Sequence, residues 1–218
     1  MLSVELYLSE LFPPEMLQVP FKKSVPNELV SPLLQHLGSE YSANVADENL
    51  GDLQSLQVLR NAAAEVATAS EEGLQALLMY QAQLKQLGPR LMLPPEGVGL
   101  SFEWKDAFLQ GKSAEQSSFV FERCAVLFNC GALESAVGAS EDRASEDGLR
   151  KACKAFQSAA GFFGACKALL PELTGKGAVT PDTTSQGLGM AAALMLAQAQ
   201  ACYYEMAVRQ SKCRRVTK

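Results

Sequence analysis

The chain has 218 residues, 48% of them hydrophobic and 20% charged, with a net charge of −5 at pH 7. That is enough apolar material for a sizeable core, in one long domain or two small ones. The acidic balance argues against general nucleic-acid binding, which needs a basic footprint, and no apolar run reaches the ~18 residues of a membrane span.

Residues 1–16 read as a lead-in. Glu5 and Glu10 interrupt its apolar residues and no Lys or Arg precedes them, which is not a secretory signal. Pro13-Pro14 ends any helix begun there. Leu17 to Lys22 alternates apolar and polar residues and predicts a short strand. Asn27 is placed to cap a helix running to about Tyr41, with Leu29, Leu33, Leu34 and Leu37 as its buried stripe. His36, the one histidine, is expected on that helix's surface.

A second helix is predicted over Leu50 to Ala69. Ser70 followed by Glu71 and Glu72 opens a third, which Gly88-Pro89 stops. Val98 to Trp104 alternates strictly and predicts a strand, paired most simply with the one near Val19. Ser113-Ala114-Glu115-Gln116 matches a capping box. It would open a helix that is apolar on nearly every side, with Phe121, Ala125, Phe128, Ala132 and Ala136 on one face. Such a helix has to be surrounded by others. Glu122 and Asn129, seven apart on it, are expected to hydrogen-bond to a neighbouring helix or loop.

Ser145 caps the next helix, from Gly148 to Leu170, whose Gly161 and Gly164 suggest a close helix crossing. A Gly, Thr and Pro loop leads to a last helix, about Gln186 to Cys213, with Leu188, Met195, Ala199, Cys202 and Met206 buried. Small residues alternate with aromatics on the last three helices, as in tetratricopeptide packing, without a strict repeat period.

Catalytic patterns are missing. There is no Gly-x-Gly-x-x-Gly, P-loop, nucleophile elbow or Glu-x-x-His pair. Catalytic, cofactor-binding and metal residues are therefore all read as none. The six cysteines form no Cys-x-x-Cys pair and fall mostly on buried faces, as reduced structural thiols of a cytosolic protein do.

Phe102-Glu103-Trp104-Lys105-Asp106-Ala107-Phe108 and the run Phe121 to Leu133 resemble the signature of the Alix-like BRO-one domain family. Val19 to Lys23, Glu146 to Leu149 with Phe156 to Gly161, and Leu194 to Gln200 are similar to further family segments, in family order. The resemblance implies a mostly α, boomerang-shaped domain, a tetratricopeptide-like helical solenoid or bundle with a small antiparallel β-sheet. It would occupy residues 17–218, a little over half of the family domain, as a fragment, a short isoform or an incomplete gene model. It implies a non-enzymatic adaptor that binds the C-terminal amphipathic helix of ESCRT-III subunits in endosomal sorting and multivesicular body formation. The protein would be cytoplasmic, peripherally on endosomes.

The alternative within the family is a signalling scaffold of the pH-sensing or rhophilin type. Carried over position by position, the family's apolar docking patch falls on Tyr203, three residues after Ala197-Gln198-Ala199-Gln200, and on Val216, thirteen further. Leu196 lies one helical repeat before Tyr203. A tyrosine at 203 that merely keeps its hydroxyl in water is the plainer reading of that position. Lys212, Arg214, Arg215 and Lys218 suit either an anionic lipid surface or a solvated terminus.

Overall fold

The computed structural model of the chain describes residues 15–91, 98–173 and 177–216, with side chains of the last helix up to Ser211. Residues 1–14, the Pro94–Gly97 loop, Lys176 and the side chains of Lys212, Cys213, Arg214, Arg215, Val216 and Lys218 lie outside the described residues. Six α-helices and one two-stranded sheet make up the frame among them. They are α1 (Val30–Glu40), α2 (Ala43–Glu65), α3 (Glu71–Leu87), β1 (Phe102–Lys105), β2 (Ser113–Gln116), α4 (Phe119–Ser140), α5 (Glu146–Leu169) and α6 (Ser185–Val216).

Serine hydroxyls start four of the helices. Ser42, Ser70, Ser118 and Ser145 each accept a hydrogen bond from the amide three residues on, satisfying a donor that the helix leaves open. Two start signals were misplaced. Asn27 gives its side-chain amide to the Ser101 carbonyl, and Glu28 instead accepts from the amides of Val30 and Ser31. Ser113 to Gln116 is no capping box. It is β2, antiparallel to β1 with Phe102 opposite Gln116 and Trp104 opposite Ala114. The helix α2 also begins before Leu50, because Ser42 caps it.

Leu17 to Lys22 does not form a strand either. The chain becomes sheet-like only after it, where Val25 N–H donates to the Glu103 carbonyl and Lys105 N–H to that of Lys23. Ahead of that bridge, side chains satisfy the backbone. Leu17 N–H donates to Gln198 Oε1 at 2.6 Å, and Gln198 Nε2 donates to the Leu17 carbonyl at 2.9 Å. Val19 N–H reaches Ser135 Oγ at 2.8 Å. Lys22 N–H reaches Asn129 Oδ1 at 2.8 Å, and Asn129 Nδ2 returns to the Lys22 carbonyl at 3.0 Å.

The central position of α4 follows from its composition. Nearly every residue from Phe121 to Leu133 is buried. One side faces a core of Leu33, Leu56, Leu77, Tyr80, Phe102 and Trp104 from α1, α2, α3 and the sheet. The other faces Phe156, Phe163, Leu188 and Met195 from α5 and α6. The polar residues on this helix are explained by the non-helical chain: Asn129 and Ser135 hold the entering segment, and Glu122 holds the sheet through Trp104 Nε1. His36 is buried, contrary to the surface position expected of it. Cys124, Cys130, Cys166 and Cys202 are buried, and burial pushes the Cys130 thiol up to about 12.

The close crossing lies on α4, not at Gly161 and Gly164, where an added Cβ would meet nothing within 4 Å. At Gly131 a Cβ would stand 2.8 Å from the Phe163 ring, and at Gly138 2.9 Å from that of Phe156. The rings of α5 fill notches left by the glycines of α4, and Phe163 meets Phe128 edge-on at 5.3 Å. Gly131→Ala is therefore expected to cost about 1–3 kcal/mol by overpacking. Gly161→Ala, exposed and mid-helix, should stabilise by about 0.4–1 kcal/mol. Urea midpoints of the two variants check this, and equal midpoints would contradict the packing described.

Candidate docking face

The last helix gains its direction from a short 3-10 turn, Pro181–Thr183. Thr184 then caps α6, its Oγ1 accepting from Gly187 N–H at 3.1 Å. Leu188, Ala191, Met195, Ala199 and Cys202 bury one side of α6 against the small residues and rings of α5. Near its end, Glu205 pairs with Arg143 at 3.0 Å and Arg209 donates to the Ala144 carbonyl at 2.6 Å. The helix is thus fixed along most of its length.

On its outer side the structure brings together two of the three residues singled out in the sequence. Leu196 is 51% exposed and Tyr203 is 68% exposed. Seven residues apart, they stand about 10 Å apart along the axis and nearly in line. Exposed Ala193, Gln200 and Ala207 flank them, so no bulky side chain stands between this ridge and an approaching helix. The backbone of α6 extends to Val216, whose side chain lies outside the described residues.

Sequence reasoning missed a second set of polar residues. Lys22 Nζ lies 2.6 Å from Asp182 Oδ2 and 2.9 Å from Thr180 Oγ1, with the Phe128 ring centroid at 5.3 Å. Asp182 Oδ2 also accepts from Ala107 N–H at 2.7 Å. Asp106 Oδ1 accepts from the amides of Phe108 and Leu109, and its Oδ2 from Asp182 N–H. Burial lowers the Lys22 ammonium's pKa, against the pull of Asp182. Burial would raise Asp106, but the three backbone N–H donors outweigh it and hold its carboxyl below the usual range. These two carboxylates cross-tie the loop after β1 to the turn before α6, and the loop's tip presents Phe108 and Leu109 to solvent. The partners are 75 to 160 residues apart, so no local pattern marks them.

A third cluster, Glu122 with Tyr80, Trp104 and Arg60, is fully enclosed and joins α2, α3, β1 and α4. Burial raises the Glu122 carboxyl despite Arg60, and raises the Tyr80 phenol well above 10. It has no access to a substrate and is structural.

The chain is similar to several known proteins. Human Rhophilin-1 is 38% identical over 178 residues, covering 82% of this chain and 24% of the relative. The ALG-2 interacting protein X of Dictyostelium discoideum is 31% identical over 195 residues, covering 88% and 24% respectively. The solved ALIX BRO1 CHMP4C complex superposes with a TM-score of 0.82 at 28% identity, over 90% of this chain and 57% of that one. The chain thus spans about a quarter of the length of these relatives and 57% of the ALIX chain in that complex. The TM-score shows that this mostly helical chain shares the fold of the ALIX BRO1 structure over that length. The family model of the BRO1-like domain matches residues 16–218, and the chain belongs to that family.

Proposed function

We propose that the protein is a non-enzymatic adaptor, and that Leu196 and Tyr203, with Val216, receive the C-terminal amphipathic helix of an ESCRT-III subunit. The role would be endosomal sorting and multivesicular body formation, from the cytoplasm and peripherally on endosomes. The observation that carries the reading is the exposed Leu196–Tyr203 ridge on a well-braced helix. An amphipathic ligand repeats its apolar anchors every three or four residues and fits such a ridge by laying its apolar face along it. The superposition on an ALIX BRO1 domain in complex with CHMP4C supports the choice of ligand. The tyrosine ring supplies apolar area, while its hydroxyl keeps to water or to a polar group at the ligand's edge.

The test is titration of a synthetic ESCRT-III tail peptide by fluorescence anisotropy. Tyr203→Asp sets a charge under the ligand's apolar face and is expected to weaken binding at least about 30-fold, the effect of losing a hot-spot contact of 2 kcal/mol. Leu78→Asp, on the exposed side of α3, serves as the control and should bind as the unaltered chain does. Equal affinity in the Tyr203 variant removes the ridge as the docking site. The 38% identity with Rhophilin-1 favours a second reading, a signalling scaffold of the same family. Under it the tail peptide fails to bind the unaltered chain, and a pull-down returns signalling proteins instead.

A further inference from the structure

A hollow of about 500 Å3 opens between α1, α2 and α3, helices that take no part in the docking ridge. Leu37, Leu53, Leu56, Leu59, Leu87 and Leu91 form its floor, and all are buried or half-buried. Its α2 wall is Val45, Asn49, Asp52, Leu56 and Leu59, at spacings of four, three, four and three. Its α3 wall is Gln83 and Leu87, four apart, with Arg90 three residues on. Tyr41, 62% exposed, stands at the end of α1. Met79, 56% exposed, lies one turn before Gln83 on the same side of α3.

We infer that the hollow receives a basic amphipathic helix of a partner protein. Spacing makes the occupant a helix. Two walls that each repeat at four and three offer seams to a third helix, and the α2 seam is about 21 Å long. The leucine floor is ringed by Asn49, Asp52, Ser55, Gln83 and Gln86. A dry centre inside a polar rim is the anatomy of a protein interface. Tyr41 adds an aromatic anchor at one edge, and Met79 an adaptable thioether.

Charge makes the occupant basic. Between residues 24 and 59 the chain carries Glu28, Glu40, Asp47, Glu48 and Asp52 and no Lys or Arg. All five acids are exposed. Asp52 is in the α2 wall, and Glu48, one turn before it, flanks the seam. Lysines or arginines on the guest's polar face would meet these two. The bases nearby are Lys85 and Arg90, both on the α3 side. Arg90, at the end of its wall, suits the partly negative carboxy-terminal end of the guest helix. A second copy of this face is the wrong guest, because its acids would meet their like. An acyl carboxylate would gain Arg90 in the lining and have Glu48 and Asp52 against it.

Fluorescence anisotropy on the 218-residue chain tests the assignment. The probe is a labelled, amidated peptide of about 14 residues, the length of the α2 seam, with leucines at helical spacing and lysines elsewhere. Asp52→Lys is expected to weaken its binding at least about 10-fold. Asp147→Lys, an exposed site at the start of α5, makes the same change in net charge and should leave the affinity within about 2-fold. The same peptide with glutamate in place of lysine should bind at least about 10-fold more weakly. Circular dichroism verifies that each variant is folded. No binding by the unaltered chain, or equal affinity in the two lysine variants, overturns the proposal. Displacement of the probe by dodecanoate overturns it in favour of an acyl carboxylate. Loss of probe binding in Tyr203→Asp also overturns it, since the guest then sits on the ridge of α6. The ESCRT-III tail peptide is titrated separately, so failure of one reading leaves the other standing.

Discussion

Glu122→Ala is expected to destabilise the protein by about 3–5 kcal/mol, the usual consequence of removing one partner from a buried ion pair. The carboxylate is wholly enclosed. It accepts from Tyr80 Oη at 3.0 Å and from Trp104 Nε1, and it sits 3.4 Å from Arg60 Nε. Without it a buried guanidinium loses its counter-charge, and a phenol and an indole lose their acceptor. Arg60 Nη2 would still reach Ser24 Oγ at 2.6 Å, so the cost lies at the Nε side. For a chain of this length the loss corresponds to about 6–20 °C in Tm. Glu122→Leu combined with Arg60→Met should recover part of it, because both charges leave together. A variant melting within about 2 °C of the unaltered chain would mean that the cluster contributes little.

The second large effect is expected from Lys22→Met, again about 3–5 kcal/mol. Asp182 would keep its bond from Ala107 N–H but lose the ammonium that neutralises it, and its Oδ1 already lacks a hydrogen-bond partner among the described residues. The damage should be uneven. Amides of Ala107, Phe108 and Leu109 are held by Asp182 and Asp106, so their hydrogen exchange should accelerate while that of α2 and α3 holds. Asp182→Asn, which keeps an acceptor for Ala107, should loosen the loop less. Uniform acceleration throughout the molecule would show that Lys22 supports the whole core and not this junction.

The helices were legible because their signals are local. Ser70 with Glu71 and Glu72, Ser145 with Glu146 and Asp147, and the stop at Gly88-Pro89 each act within one turn. The all-round apolarity of α4 correctly demanded neighbours on every side, and Glu122 and Asn129 did turn out to bond to other elements. The errors arose where two local readings compete and a distant partner decides. Ser113 to Gln116 carries the letters of a capping box, but pairing with β1 satisfies its backbone, and Ser118 caps instead. The alternation from Leu17 to Lys22 looks like a strand, yet its hydrogen bonds end on Gln198, Ser135 and Asn129. Gly161 and Gly164 suggested a crossing that occurs at Gly131 and Gly138, because glycine content alone does not say which helix presents the notch. Leu196 and Tyr203, the proposed docking ridge, were singled out through the family resemblance, and the structure shows that both are exposed. The Lys22–Asp182 tie was not singled out, since nothing near Lys22 in the chain hints at its partner.

The clasp between Leu17 and Gln198 sets an order of events during synthesis. Its two ends are separated by 181 residues, which a ribosome adds in roughly 9–36 s. Through that interval Leu17 has no Gln198 to bind, and its amide stays with water or with chaperones. Leu17 thus finds its partner only after Gln198 has been added, and the clasp waits for α6 to emerge.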